Sequence, residues 1–255
     1  MMELFQAIIL GIVQGITEWL PISSSGHLMI LHELFGFGTD VAFDVLLHVA
    51  TLFVILIVFW KDILAIIKSL LSWKWDENTK LLLFIVLASI PTALFGFLLQ
   101  DWLLGLFTNI ILLGVFFVIN GLILLMTKFI NEPKKALNWW QSLVIGLAQG
   151  LSIIPSLSRS GLTISTGMFL GIKKEKLIKF SFLMAVPAII GAAILELGNL
   201  VIKDVVPMIA GTLASLVVGY VSLRWLIKLV ENSKFYEFGY YCIIIGLIII
   251  GIVVF

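Results

Sequence analysis

Charge is scarce in this chain. Asp, Glu, Lys and Arg supply 12% of its 255 residues, about half the roughly 25% of an ordinary soluble protein. Hydrophobic residues supply 61% and the mean hydropathy is +1.18. A water-soluble fold of this size could not hide that much apolar surface. The net charge of +1 offers no field to draw a nucleic acid or an acidic partner. A soluble globular domain, a disordered chain and a nucleic-acid binder are thereby excluded. Cysteine is nearly missing: Cys242 stands alone, so there is no intramolecular disulfide, and its apolar neighbours assign it to packing. The alternation of apolar and polar residues that marks barrel strands is missing too. So is a basic amino-terminal start. The first charge is Glu3, unlike a secretory signal, and the apolar amino-terminal segment is expected to be retained.

Long apolar runs take the place of these features, such as Ile189–Val201 and Ile243–Phe255. They are spanning helices or parts of them. Six spans are expected, near 41–60, 80–100, 107–127, 177–200, 207–228 and 236–255. Two further apolar segments are interrupted. Segment 3–36 breaks at Pro21-Ile-Ser-Ser-Ser-Gly26, and segment 139–170 breaks at Pro155-Ser-Leu-Ser-Arg-Ser-Gly161. Each half is short for a span of about twenty residues. Either each break is a loop between two short spans, or the chain enters the membrane, turns and leaves on the same side.

The basic residues favour the second alternative. With six spans and two re-entrant hairpins, the loops near 61–80, 128–135, 173–179 and 224–234 fall on one side, and they hold fourteen of the sixteen Lys and Arg. Only Lys203 lies opposite, and Arg159 sits inside the second break. The positive-inside rule puts the four loops in the cytoplasm and both termini outside.

The two interrupted segments also match each other. An offset of 135 sets Gly11, Gln14 and Gly15 over Gly146, Gln149 and Gly150, then Ser23, Ser25 and Gly26 over Ser158, Ser160 and Gly161, with Ser24 opposite Arg159. A second echo pairs Leu87-Ala-Ser-Ile-Pro91 with Leu183-Met-Ala-Val-Pro187. The expected fold is an all-α integral membrane protein of one domain. Six transmembrane helices and two re-entrant helical hairpins form an inverted-topology repeat, about 1–127 against about 139–255. Repeats of this kind build sites at the bilayer midplane from broken helices. Gly and Ser also recur in any packed membrane bundle.

Each break is followed by a new half-helix, starting near Ser23–Ser25 and near Ser158–Ser160. A helix start leaves N–H groups unpaired and carries partial positive charge. Two of them meeting in mid-membrane make an anion cradle, and phosphate is the usual guest. Ser23, Ser25, Ser158 and Ser160 add hydroxyl donors, and Gly26 and Gly161 allow close backbone approach. Arg159 supplies a fixed cation whose planar fork suits phosphate oxygens; a structural ion pair with Glu18 is its other reading. Glu18 can bind a metal ion or take a proton, and Gln14, one turn earlier, can offer a carbonyl oxygen. Ser24 and His27, three apart, form the minimal arrangement of an activated nucleophile. Thr163, one turn past Arg159, is either a phosphate donor or a bond to its own helix. Gln149 is assigned to helix–helix contact. His48 and Asp44 line the same cavity or pair with each other, while His32 and Glu33 are interfacial. Trp60, Trp73, Trp75, Trp102, Trp139 and Trp140 form an aromatic belt.

Gln14-Gly-Ile-Thr-Glu18-Trp-Leu-Pro-Ile-Ser-Ser24-Ser-Gly-His27 resembles the first signature of the undecaprenyl-diphosphate phosphatase family, the bacitracin-resistance type. Pro155-Ser-Leu-Ser-Arg159-Ser-Gly-Leu-Thr163 resembles its second. The resemblance runs the whole chain. It implies an enzyme of the plasma membrane that converts undecaprenyl diphosphate to undecaprenyl phosphate and inorganic phosphate, recycling the lipid carrier of peptidoglycan and other envelope glycans. It implies a divalent cation, Mg2+ or Ca2+. It also carries the family's essential acid, serine, histidine and arginine onto Glu18, Ser24, His27 and Arg159, and further phosphate-contacting hydroxyls onto Ser158 and Thr163. Many members have a second glutamate where this chain has Gln14. The partners so implied are a polyprenyl diphosphate and the bilayer, with a homodimer as the assembly to test. A phosphatidate-phosphatase relationship lacks its Lys and second His motifs, and an intramembrane serine protease needs no Arg159. A flippase of polyprenyl phosphate lipid stays open as the alternative, because inverted repeats with midplane breaks are transporter architecture.

Overall fold

Two proline- and serine-containing stretches, at residues 21–23 and 155–158, interrupt an otherwise largely helical sequence. The computed structural model describes residues 3–36, 41–98, 109–130, 135–196 and 205–254. In chain order the helices are α1 (Leu4–Thr17), α2 (Ser24–Phe35), α3 (Val41–Val58), α4 (Trp60–Leu71), α5 (Glu77–Leu98), α6 (Ile110–Met126), α7 (Trp139–Leu151), α8 (Arg159–Phe169), α9 (Lys174–Glu196), α10 (Val205–Glu231) and α11 (Glu237–Val254). Helices α5, α6, α9, α10 and α11 are long and apolar enough to cross a bilayer. A sixth candidate is the pair α3 and α4, bent by 73° at the break between them. The architecture is thus all-helical with five or six candidate spans, in the places the apolar runs mark.

Helix α4 replaces part of the expected loop 61–80. Its Ile66 and Ser69 are buried while Lys61, Lys68, Leu70 and Leu71 are exposed. The alternation of Ile, Leu and Lys at helical spacing makes it amphipathic, the composition of a helix lying along an interface. Lys134, Lys203 and Trp102 lie outside the described residues.

The four basic loops meet at one end of the bundle. Lys179 pairs with Asp62 at 2.6 Å and Lys176 with Glu77 at 2.8 Å, while Lys174 bonds Ser233. Lys135 makes an isolated parallel bridge with Ile172, its N–H donating to the Gly171 carbonyl. The charge count on the sequence and the spatial clustering therefore agree on which loops share a side.

Small residues let the helices approach closely. A Cβ added at Gly11 on α1 would lie 2.1 Å from the Gly211 carbonyl oxygen on α10, and one at Gly146 on α7 would lie 2.3 Å from the Ala88 carbonyl oxygen on α5. Backbones this near each other take up dispersion contact that larger side chains would forbid. Helices α6 and α11 pack in the same way, Gly114 against Gly246 and Gly121 against Gly239. The main core is built on Trp19, Phe59, Phe117 and Phe182, with Trp19 meeting Phe182 edge to face at 5.8 Å.

The prolines do not repeat in place. Pro91 lies in the second long helix after the first break, and Pro187 in the first long helix after the second. The sequence echo around them falls on positions that do not correspond. The helix breaks themselves do correspond, and they position the site.

Candidate active site

Both breaks form for the same local reasons. Pro21 and Pro155 remove a helical N–H and disfavour helix at the residue before them. A serine then caps the next helix. Ser23 accepts the Gly26 N–H at 3.3 Å, and Ser158 accepts the Gly161 N–H at 3.2 Å. Each cap serine also bonds the serine two residues on, Ser25 and Ser160, at 3.2 Å. Capping by serine contributes about 1 kcal/mol at each start. Each turn carries one non-glycine residue in the left-handed region, Ser23 at φ +67° and Ser156 at φ +66°. Such residues cost of order 1–3 kcal/mol and gather at functional sites.

The two turns are held against each other by Asn120 of α6, fully buried. Its amide donates to the Pro21 carbonyl at 2.9 Å, and its oxygen accepts the Ser158 N–H at 3.1 Å. The Cys242 thiol on α11 donates to the same Pro21 carbonyl and accepts from Asn120. Cys242 therefore does more than fill space.

With the turns so fixed, Glu18 and Arg159 meet. Arg159 donates to Glu18 Oε1 at 2.8 Å across 141 residues of sequence. The Ser24 hydroxyl donates to Glu18 Oε2 at 2.7 Å, and the Gln14 amide donates to the same oxygen at 3.1 Å. Ser24 and Arg159 each occupy the first position of their helix. The guanidinium also lies over the Trp19 ring, 5.6 Å from its centroid, a cation–π contact. Arg159 Nη1 and Gln14 Oε1 are buried with no hydrogen-bond partner. A buried donor and a buried acceptor left open beside one carboxylate are costly unless a ligand completes them.

The structure distributes the remaining candidates unevenly. His27 does not bond Ser24: its Nδ1 donates to the Ser23 carbonyl at 2.7 Å, and its Nε2 lies 2.7 Å from the Tyr241 hydroxyl. Thr163 is fully buried, donating to the Arg159 carbonyl at 2.8 Å and bonded to the Ser181 hydroxyl at 2.6 Å. Of its two readings, the bond to its own helix is the one observed. Gln149 bonds Thr92 and the Met184 carbonyl, the expected helix–helix contact. His32 is buried, only 4% exposed, and pairs with Asp44 at 3.2 Å. This corrects its interfacial reading; Glu33, beside it, is exposed. His48 turns from Asp44's side chain toward Glu18, with Nε2 3.6 Å from Oε2, while its Nδ1 donates to the Asp44 carbonyl.

Asn120 and Tyr241 are contributions that sequence reasoning missed. A polar Asn in the middle of an apolar run was the available signal for the first. Nothing local marks the second.

Among the described residues no three His, Cys, Asp or Glu gather as a metal cluster. Glu18 is a single carboxylate, and the open Gln14 oxygen and His48 Nε2 are the further donors near it. The two oxygen donors suit a hard cation that takes most of its shell from phosphate oxygens and water, and the imidazole nitrogen does not belong to such a shell.

Residues 7–248 match the family described as bacitracin resistance protein BacA. The chain is 41% identical to an undecaprenyl-diphosphatase of Carboxydothermus hydrogenoformans, over 98% of this chain and 97% of that one. It is 42% identical to an undecaprenyl-diphosphatase of Treponema denticola, over 96% of each. With one from Methanosphaera stadtmanae it shares 36% identity over 98% of each.

Proposed function

We infer from this premise, that the chain belongs to the bacitracin resistance protein BacA family, that it is an undecaprenyl-diphosphatase of the membrane. It hydrolyses undecaprenyl diphosphate to undecaprenyl phosphate and inorganic phosphate, and so returns the carrier lipid to envelope glycan synthesis. The observation that carries the site assignment is the carboxylate of Glu18, bonded at once to Arg159 from the second break and to Ser24 from the first.

The terminal phosphate is bound by Arg159, whose Nη1 is open and whose Nη2 exchanges Glu18 for a phosphate oxygen. Serine hydroxyls and the first-turn N–H groups of α2 and α8 add donors, and together they stabilise the charge of an in-line transfer. Ser24 attacks phosphorus, or orients the attacking water, and Glu18 takes the proton that its hydrogen bond already addresses. The P–O bond to the polyprenyl phosphate breaks, and that lipid leaves as the carrier monophosphate. If Ser24 is the nucleophile, water then releases phosphate from the serine. A divalent cation would be held by Glu18 with the Gln14 oxygen, and when bound it would neutralise diphosphate charge.

The fold reading that goes with this is an inverted repeat with two re-entrant hairpins. Two features support it. The breaks share their cap bonds residue for residue at an offset of 135. The hairpin arms also pack across halves, α1 on α10 and α7 on α5, each through its motif glycine. The basic loops then face the cytoplasm and both termini the outside, with the diphosphate entering from the outer face.

The test is phosphate release from undecaprenyl diphosphate by purified protein in detergent, with and without EDTA. Metal-dependent release supports the reading. Lipid movement between leaflets without phosphate release would return the chain to the transporter class.

A further inference from the structure

We propose that Tyr241 is a positioning residue for this phosphatase site, acting through His27; the proposal rests on the reading above. The Ser23 carbonyl oxygen can only accept, so the His27 nitrogen 2.7 Å from it, Nδ1, carries a proton. In the neutral ring Nε2 then holds the lone pair, and the Tyr241 hydroxyl 2.7 Å away donates to it. The two rings stack, centroids 5.7 Å apart and planes within 10°. Phe117 meets the imidazole edge-on at 5.4 Å. His27 is thus held from three sides, and Tyr241 is the polar contact from outside its own turn. A partner on the second nitrogen fixes both tautomer and ring rotation, the part second-site groups play for catalytic and metal-bound histidines.

Two further observations bear on what the pair does. Tyr241 precedes Cys242, whose thiol donates to the Pro21 carbonyl. Two consecutive residues of α11 therefore grip the first break, one through its turn and one through its histidine. Both residues also line an apolar groove of about 500 Å³, walled by Leu20, Ile22, Trp225 and Phe238. Among the described residues Glu237 is the charged one of that wall and no Lys or Arg lines it, so the groove suits a hydrocarbon chain and not a diphosphate. Tyr241 and His27 thus belong to the groove wall and, through the Ser23 carbonyl, to the first turn. By holding His27 on the Ser23 carbonyl, Tyr241 keeps the residue before Ser24 in register with Glu18.

The experiment is Tyr241→Phe in the full chain, which keeps the stacked ring and the groove wall and removes one hydroxyl. Turnover of undecaprenyl diphosphate is measured together with 15N spectra of the three histidines. Loss of one neutral hydrogen bond is expected to lower kcat about fivefold to tenfold, with KM held within about twofold because the apolar wall is intact. The His27 Nε2 resonance moves toward that of an unbonded lone pair. In a His27→Ala background Tyr241→Phe has no further effect, the signature of a coupled pair. Tyr240→Phe, one residue away and half-exposed, serves as the control and changes neither reading. Wild-type kcat, an unmoved Nε2 resonance or equal losses in both backgrounds would overturn the proposal. A rise in KM as large as the fall in kcat would overturn it too, in favour of lipid-chain binding. If the wild type releases no phosphate at all, the phosphatase reading fails instead, and the nitrogen spectra still decide the pairing.

Discussion

The two helix breaks are built alike and do unlike things. Each has a proline before it, a serine cap that takes the N–H of a glycine three residues on, and a second serine bonded to the first. At the first helical position, however, the first break presents Ser24 and the second presents Arg159. The first break also carries the acid, Glu18, and the histidine. The second supplies the cation and little else. Common backbone geometry thus provides the frame, and in the proposed mechanism the differing first position decides whether a break attacks or binds. The pairing of Glu18 with Arg159 at 2.8 Å is where the two copies become one site.

Removing the charge that the second break contributes should have the largest effect. Arg159→Ala removes the arginine partner of buried Glu18 and takes away the proposed main donor to the phosphate, so kcat/KM should fall by about a thousandfold or more; steady-state phosphate release reads it. Removing the first break's own first-position group comes next. Ser24→Ala should lower kcat by about a hundredfold to ten-thousandfold if its oxygen attacks or orients the attacking water. Rapid-quench trapping of phosphoserine separates those two routes, and near-normal turnover would rule out Ser24 in either.

Uncoupling the breaks without touching either should cost less. Asn120→Leu leaves the Pro21 carbonyl and the Ser158 N–H each short of its Asn120 partner, a loss of about 2–4 kcal/mol, read as a lower unfolding temperature in detergent and a reduced kcat. The packing of the arms gives a finer comparison. Gly11→Ala and Gly146→Ala force a methyl against a facing carbonyl in each half, and each should destabilise by about 1–3 kcal/mol and by similar amounts if the halves are equivalent. A loss confined to one half would break the likeness. Smallest of all, Thr163→Val should leave kcat/KM within a few-fold of wild type, because its proton is already given to the Arg159 carbonyl.

Much of this was legible in the sequence, for physical reasons that can be named. The spans showed as uninterrupted apolar runs, and the basic loops as charge clusters that do meet at one end. The breaks showed because proline, serine and glycine have fixed backbone consequences. Glu18 and Arg159 stood out because charge in apolar sequence is costly. What stayed hidden were pairings with no local mark. Tyr241 lies 214 residues from His27 in sequence, and neither residue's neighbours announce the other. His32 sits among residues that look interfacial, and its burial depends on Asp44 arriving from the next helix. Helix α4 was read as a loop because its lysines outweighed its periodicity. The Ser-x-x-His spacing suggested a nucleophile and its base, yet the serine's hydrogen bond goes to Glu18 and the histidine's to Tyr241.

The central claim is that a carboxylate from one break and an arginine from the other hold a single lipid diphosphate. It is tested most directly by phosphate release from undecaprenyl diphosphate for the wild type, Glu18→Gln, Arg159→Ala and the double variant. The account expects metal-dependent release by the wild type, near-complete loss in each single variant, and little further loss in the double, as for groups acting as a unit. Release that survives either substitution, or losses that simply multiply in the double variant, would contradict it.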